Sequence, residues 1–517
     1  MNTVNKINNN PIDIKKGSID KVVFFPALII TLLAGCLFIL YPVGSGVVLK
    51  KLHTFMTHQL GWFFLLVTLG VLLFCLYLAL SKYGKIVLGD KGQAPDFSTP
   101  VWLGFIFTSG TGGSLLYLGA VEWIWIMQAP PFGVEAGSKE AMRWASAYGM
   151  FHWGPSAWAF YIASAIPIAY FFFVKKKTSL KISEFTRPLL GKYCDGVAGH
   201  LINFLYMFGL LGGVMTSLAL GTPLISNAIV YVFGLGKTNA LLDTFVIFLW
   251  TFVPLIALIF GLKKGVSSLS TWNVRLDIIM LLGIAILGPL AFILNQSVDG
   301  LGLMLQNFVY MSLSTDVIRD TQFPQAWTIF YFSWWVVYAL PFGLFIAKIS
   351  RGRTIRELVC GGLVAGSLGC MVFYMVLSGF GIELQLSGKA DLIQTLNESG
   401  RGMVVIEMLK HLPFPSIFIA AFGLIALISY ITGQCTVGYA LAAATQNKMS
   451  ENEDPAIWNI AFWLILAGVV SLGLYFINPD SLGPLQTISI LTGLPLCGVI
   501  YIICRSFLLQ LKQDFPD

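Results

Sequence analysis

The sequence predicts an all-α polytopic membrane protein of twelve transmembrane helices. Three observations lead there. The first is composition: 56% of the 517 residues are hydrophobic and only 11% are charged, against about 25% charged in a typical soluble domain. The second is run length. Apolar stretches fall near 22–43, 61–81, 101–127, 144–174, 200–230, 241–262, 272–295, 327–348, 357–380, 415–444, 457–477 and 483–507. Each meets the roughly 20 residues a helix needs to cross a bilayer, whereas barrel strands need only about 9–11 alternating ones. The third is charge placement. With the N-terminus inside, 22 of the 32 Lys and Arg lie in inner segments and 9 in outer ones, the bias that retains positive loops in the cytoplasm.

That bias explains the net charge of +7 by topology and puts both termini on the cytoplasmic side of the cell membrane. Lys175-Lys176-Lys177 is read as a topogenic anchor, not a nucleic-acid patch. Residues 1–21 read as a polar cytoplasmic tail, 22–511 as one membrane domain and 512–517 as a short cytoplasmic tail. The first apolar run is long and lacks a cleavage site, so it is read as a retained span. The segment 301–314 (LGLMLQNFVYMSLS) is too short to span and reads as an amphipathic interfacial helix.

Two spans carry breakers. Span 3 contains Ser109-Gly110-Thr111-Gly112-Gly113-Ser114, and glycine in a helix interior costs about 1 kcal/mol per residue. Span 8 contains Pro341 and Gly343. Breakers at matching places in two five-span units are the mark of an inverted-repeat secondary transporter. The units are spans 3–7 and 8–12. Small residues also let helices approach closely, which is the competing reading of both clusters.

The densest chemical signal is Trp327-Thr-Ile-Phe-Tyr331-Phe-Ser-Trp334-Trp335-Val-Val-Tyr338. Tyr331, Trp334, Trp335 and Tyr338 share one helical face. Span 4 adds Phe151-His152-Trp153-Gly154-Pro155 and Trp158, and span 3 adds Glu122-Trp123-Ile124-Trp125. A quaternary ammonium has no N–H to donate, so it is held by the negative faces of aromatic rings, best by Trp. An interfacial belt would put its rings near the span ends, but Trp334, Trp335 and Tyr338 are central.

These motifs resemble the betaine/carnitine/choline transporter family, with a feel closest to its carnitine/γ-butyrobetaine exchanging branch. The resemblance runs from about residue 20 to the C-terminus. It is carried by WTIFYFSWWVVYALPFGLFIAKISRGRTIREL (327–358), by FHWG in span 4 and by the Gly-rich span 3 ending in GAVEW. It implies a five-helix inverted repeat, a homotrimer with an amphipathic helix after span 7, and a small quaternary ammonium substrate in a lipid bilayer. It implies a substrate box at Trp153, Trp334, Trp335 and Tyr338. Trp125 stands where the exchanging branch has a tyrosine, and Trp327 matches a tryptophan nearer one side of the pathway.

The same resemblance bears on energy coupling. Sodium-coupled members use span 3 carbonyls and a Thr-Ser pair in span 10. Here the corresponding residues are Thr111 in span 3 and Thr432-Gly433 in span 10, so one hydroxyl ligand is missing. The exchanging branch has an arginine in span 7, where this chain has Asn273, and Arg275 lies about 200° around the helix. Sodium-independent exchange is expected, with sodium- or proton-coupled import as the alternative.

Glu122 and Asp277 are the acidic residues nearest span interiors. Glu122 is placed near the outer mouth, and Asp277 is expected to pair with Arg275 or a neighbouring helix. No cofactor, metal-ligand or nucleic-acid motif occurs. An enzyme lacks its catalytic cluster, and a channel lacks its ring of carboxylates or carbonyl filter.

Overall fold

The computed structural model describes residues 18–110, 113–177, 181–259, 263–446, 455–477 and 482–516. Among these the chain is helical with no strand, apart from two isolated bridges. The order is α1 (Lys21–Leu40), α2 (Pro42–Gln59), α3 (Gly61–Leu80), α4 (Thr99–Gly110), α5 (Gly113–Gln128), α6 (Lys139–His152), α7 (Pro155–Ala169), α8 (Arg187–Leu190), α9 (Val197–Phe233) and α10 (Ala240–Ile259). Then follow α11 (Lys263–Leu287), α12 (Leu290–Leu313), α13 (Ile329–Ile349), α14 (Ile355–Leu386), α15 (Leu392–Ser399), α16 (Arg401–Leu409), α17 (Pro415–Ala444), α18 (Ile457–Ile477) and α19 (Gly483–Asp514).

Among the described residues, ten helical stretches are long and apolar enough to cross a membrane, and they coincide with ten of the expected spans. The other two are spans 3 and 7. Span 3 is carried by α4 and α5, the described stretches on either side of residues 111–112, each too short to count alone. Span 7 is α11, whose described part Trp272–Leu287 meets α12 at a 109° bend. The expected span end at 295 therefore moves back to Leu287, and the amphipathic helix begins at Leu290 instead of residue 301.

The breakers of span 8 do not break it. Pro341 lies inside the continuous helix α13. Gly343 serves close packing: a Cβ there would come 2.6 Å from Ser164 Cβ and 3.1 Å from Ala165 N of α7. The second interruption falls in span 4. α6 ends at His152, Trp153 caps it, and Gly154 with Pro155 starts α7. Proline at a first helical position loses no hydrogen bond and is preset for the turn. Missing from the sequence reading is α2, an 18-residue helix between spans 1 and 2 that packs on α19 and α18.

The core lies where α7, α9, α13 and α14 pack together, and α7 and α13 run closely against each other. α7 is buried from Ser156 to Ala169. The outer helices α1 and α3 keep exposed leucines such as Leu33, Leu66 and Leu73, as lipid-facing surfaces do.

Candidate functional site

The α6–α7 break turns Trp153 toward α13. Its ring centroid lies 5.3 Å from that of Trp335 at 77°, and 6.1 Å from that of Trp334 at 87°. Trp335 is also flanked by Tyr161, 4.9 Å away, and Trp158, 5.9 Å away. Tyr338, one turn further along α13, shares a 2.8 Å hydrogen bond with Ser217 Oγ of α9. Gly213 makes room for it, since a Cβ there would come 3.1 Å from the Tyr338 ring.

Trp153, Trp334, Trp335 and Tyr338 all line one cavity of about 1450 Å³. Its wall continues along α13 through Phe342 and Phe345 to Ile349 and includes Phe97 and Val101. The cavity thus runs from the box toward the end of the bundle that carries the loops at 82–98 and 350–354. The buried Nε1 atoms of Trp334 and Trp335 have no hydrogen-bond partner. The site offers aromatic faces and spare N–H donors, and the four box residues hold no carboxylate.

The two remaining tryptophans do not join the box. Trp125 and Trp327 stack on each other, centroids 5.5 Å apart at 28°. Neither lines the cavity. They lie on the far side of Tyr331, which stacks on Trp327 at 6.3 Å and meets Trp153 edge-on at 6.0 Å.

Behind them is a polar cluster that the sequence does not reveal. Glu122 is fully buried and accepts hydrogen bonds from the hydroxyls of Tyr331 and Tyr374. His152 Nδ1 lies 3.1 Å from its other oxygen. A carboxylate only accepts, so this nitrogen donates. Nε2 then accepts from Thr328 Oγ1 at 3.2 Å. Three donors compensate a charge withdrawn from water. Glu122 is therefore a packed junction of α5, α6, α13 and α14 rather than a group at a mouth.

Of the residues implied for an ion site, the described ones fall in two places. Thr111 lies outside the described residues. Thr432 and Gly433 both line the cavity. The Thr432 hydroxyl donates back to Ile428 O at 3.0 Å, and a Cβ on Gly433 would meet nothing within 4 Å. Asn273 is buried, and its Nδ2 donates to Ser429 Oγ at 2.7 Å and to Asp277 Oδ2 at 3.2 Å. Asp277 thus pairs with Asn273, not with Arg275, whose guanidinium sits 4.9 Å over the Trp272 ring. The Oδ1 atoms of Asn273 and Asp277 are buried without a partner. No group of three or more His, Cys, Asp or Glu that could hold a metal occurs among the described residues.

Sequence reasoning missed Tyr161, Ser217 and Tyr430. Tyr161 carries a readable signal, three residues after Trp158 in a helix opened by Pro155. Tyr430 shares a 3.1 Å hydrogen bond with Ser114, and Gly221 opposes it so closely that a Cβ would come 2.2 Å from its ring.

The model of the betaine/carnitine/choline transporter family, BCCT, matches residues 22–516. The chain belongs to the BCCT family. This BCCT protein is accordingly a multi-pass secondary transporter for quaternary ammonium solutes. The four aromatic residues Trp153, Trp334, Trp335 and Tyr338 line its cavity.

Proposed function

We propose that the transporter holds the quaternary ammonium of a carnitine, γ-butyrobetaine, betaine or choline substrate among Trp153, Trp334, Trp335 and Tyr338. The carrying observation is that four electron-rich rings, one from the α6–α7 break and three from α13, line one cavity. A desolvated cation over such faces gains about 2 kcal/mol or more. Trp125 and Trp327 form an aromatic layer beyond Tyr331, between the box and the opposite end of the pathway. The reading is tested by binding in detergent: Trp335→Ala should weaken a quaternary ammonium solute about thirtyfold. Unchanged affinity in both Trp334→Ala and Trp335→Ala removes the box from α13.

The transport mode we propose is substrate exchange without sodium. Gly433 offers no hydroxyl, and the Thr432 hydroxyl is turned back to its own helix, which leaves a poor set of oxygens for sodium. A cation-coupled mode has one observation in its favour, the buried pair Asn273 and Asp277 with a spare oxygen on each. Intramembrane carboxylates mark ion and proton pathways. Counterflow into proteoliposomes separates the two: exchange needs internal substrate and ignores sodium, and coupled import needs the ion gradient instead.

We further propose both termini in the cytoplasm, so that the cavity faces inward in this state. A homotrimer is supported by Leu294, Val298, Leu305 and Val309, which form an exposed apolar row on α12.

A further inference from the structure

We propose that Arg401 forms an anion-recognition site beside the transport pathway. It takes the carboxylate of a zwitterionic quaternary ammonium solute and so favours betaines over purely cationic solutes. The inference rests on the substrate reading above and narrows it to one class.

Arg401 opens α16, which packs on α5 and α9. The approach is close at Gly402, where a Cβ would come 2.3 Å from Asn227 Nδ2 and 2.5 Å from Pro223 O of α9. This seating draws Arg401 inside, and it is only 3% exposed. Its Nε and Nη1 are buried without any hydrogen-bond partner. The nearby acids of this loop are engaged elsewhere: Glu407 with Lys410 and Glu398 with Gln394. Asn227 Nδ2 is likewise turned to Pro223 O.

Gly402 seats against Pro223 of α9, and Gly221, two residues earlier on α9, opposes the Tyr430 ring, so α16 meets α9 near the level of Tyr430; α16 also packs on α5, the helix of Tyr117. Tyr117 is fully buried, and its hydroxyl has no partner either. Ser114 and Tyr117 are three residues apart on α5, hence on one face. Ser114 is hydrogen-bonded to Tyr430, and both line the cavity. A guanidinium with two unpaired nitrogens and a spare phenol hydroxyl therefore belong to the layer behind the cavity wall on the α5–α9 side; neither Arg401 nor Tyr117 lines the cavity itself.

A guanidinium does not shed its charge, and a buried charge without a partner is unfavourable. An anion relieves that penalty. The start of α16, whose cap residue Gly400 provides no side chain, adds positive potential. A purely cationic solute passing this point is repelled. A betaine presents a carboxylate that guanidinium and phenol can both donate to, while its ammonium proceeds to the box. The tunable quantity is thus discrimination between two solutes that share a trimethylammonium head.

The test uses the full-length transporter in proteoliposomes, with glycine betaine and choline as probes, for wild type, Arg401→Gln, Arg401→Lys and Trp335→Ala. Wild type should prefer glycine betaine. Arg401→Gln should raise the half-saturating betaine concentration roughly tenfold to a hundredfold, the loss expected for one charge-assisted hydrogen-bonded contact, and should leave choline unchanged or improved. Arg401→Lys should recover most of the preference, which a merely structural role would not require. Parallel loss for both solutes in Arg401→Gln, or no change for either, overturns the inference. So does chloride-dependent uptake of both solutes that Arg401→Gln abolishes equally, because the site then serves an inorganic anion. Trp335→Ala separates this claim from the one beneath it: if that variant keeps full affinity for both solutes, the box reading fails, whatever Arg401 does.

Discussion

Trp153 stands edge-on to Trp335, ring centroids 5.3 Å apart and planes at 77°. The two residues are far apart in the chain, and the α6–α7 break brings them together. Both rings line the cavity, together with Trp334 and Tyr338.

Substituting Trp153 should therefore weaken binding as strongly as substituting Trp335. Trp153→Ala removes one face and about 2 kcal/mol, and Trp153→Phe should lose less, because a smaller quadrupole remains. Titration of intrinsic fluorescence in detergent gives the ordering wild type, Phe, Ala. A Phe variant worse than Ala contradicts the box.

Gly433→Ser tests the coupling reading directly. Open space surrounds that position, so the hydroxyl enters without repacking. The variant should fold normally and gain a dependence of betaine affinity on sodium that wild type lacks. If wild type already binds tighter in sodium than in potassium, the exchange reading is wrong before the variant is made.

Glu122→Ala should destabilise the fold. It leaves the donors of Tyr331, Tyr374 and His152 unpaired in the interior, at about 1–3 kcal/mol each. Glu122→Gln keeps an acceptor and should lose less. Thermal unfolding in detergent should place the midpoints in the order wild type, Gln, Ala. Equal midpoints would show that the cluster does not hold these helices together.

Gly221→Ala should disturb the pathway through Tyr430. The new methyl would lie 2.2 Å from the ring, so the ring must move and its hydrogen bond to Ser114 must break. Overpacking of this kind costs about 1–3 kcal/mol. Uptake should fall with little change in protein level in the membrane, as measured by side-by-side transport and quantitative blotting.

The sequence made the helices legible because lipid demands long apolar runs, and the box was legible because Trp334, Trp335 and Tyr338 are neighbours on one helix. The cluster at Glu122 was not. Its partners lie 30, 209 and 252 residues away, and nothing local announces them. Gly154-Pro155 is a plain helix-start signal that the surrounding aromatics obscured. Pro341 misled in the opposite direction, because α13 continues through it. The short helix α2 was missed because its mixed composition, with Lys50, Lys51 and two histidines, reads as a loop between two spans.

The topology proposal rests on the Lys and Arg bias. Reporters fused at either terminus should be protected in intact cells, and one inserted beside Lys389 should be accessible. An exposed C-terminus would imply an odd number of crossings.

The most direct measurement compares two ligands of one shape. Glycine betaine and its neutral-headed isostere, in which a tert-butyl group replaces trimethylammonium, should be titrated against the wild-type transporter and against Trp335→Ala. Recognition by aromatic faces predicts that wild type binds the quaternary ammonium ligand about thirtyfold more tightly than the isostere, worth about 2 kcal/mol, and that Trp335→Ala loses most of that difference. Equal binding of the two ligands to wild type would mean that the box reads shape alone, and would contradict the account.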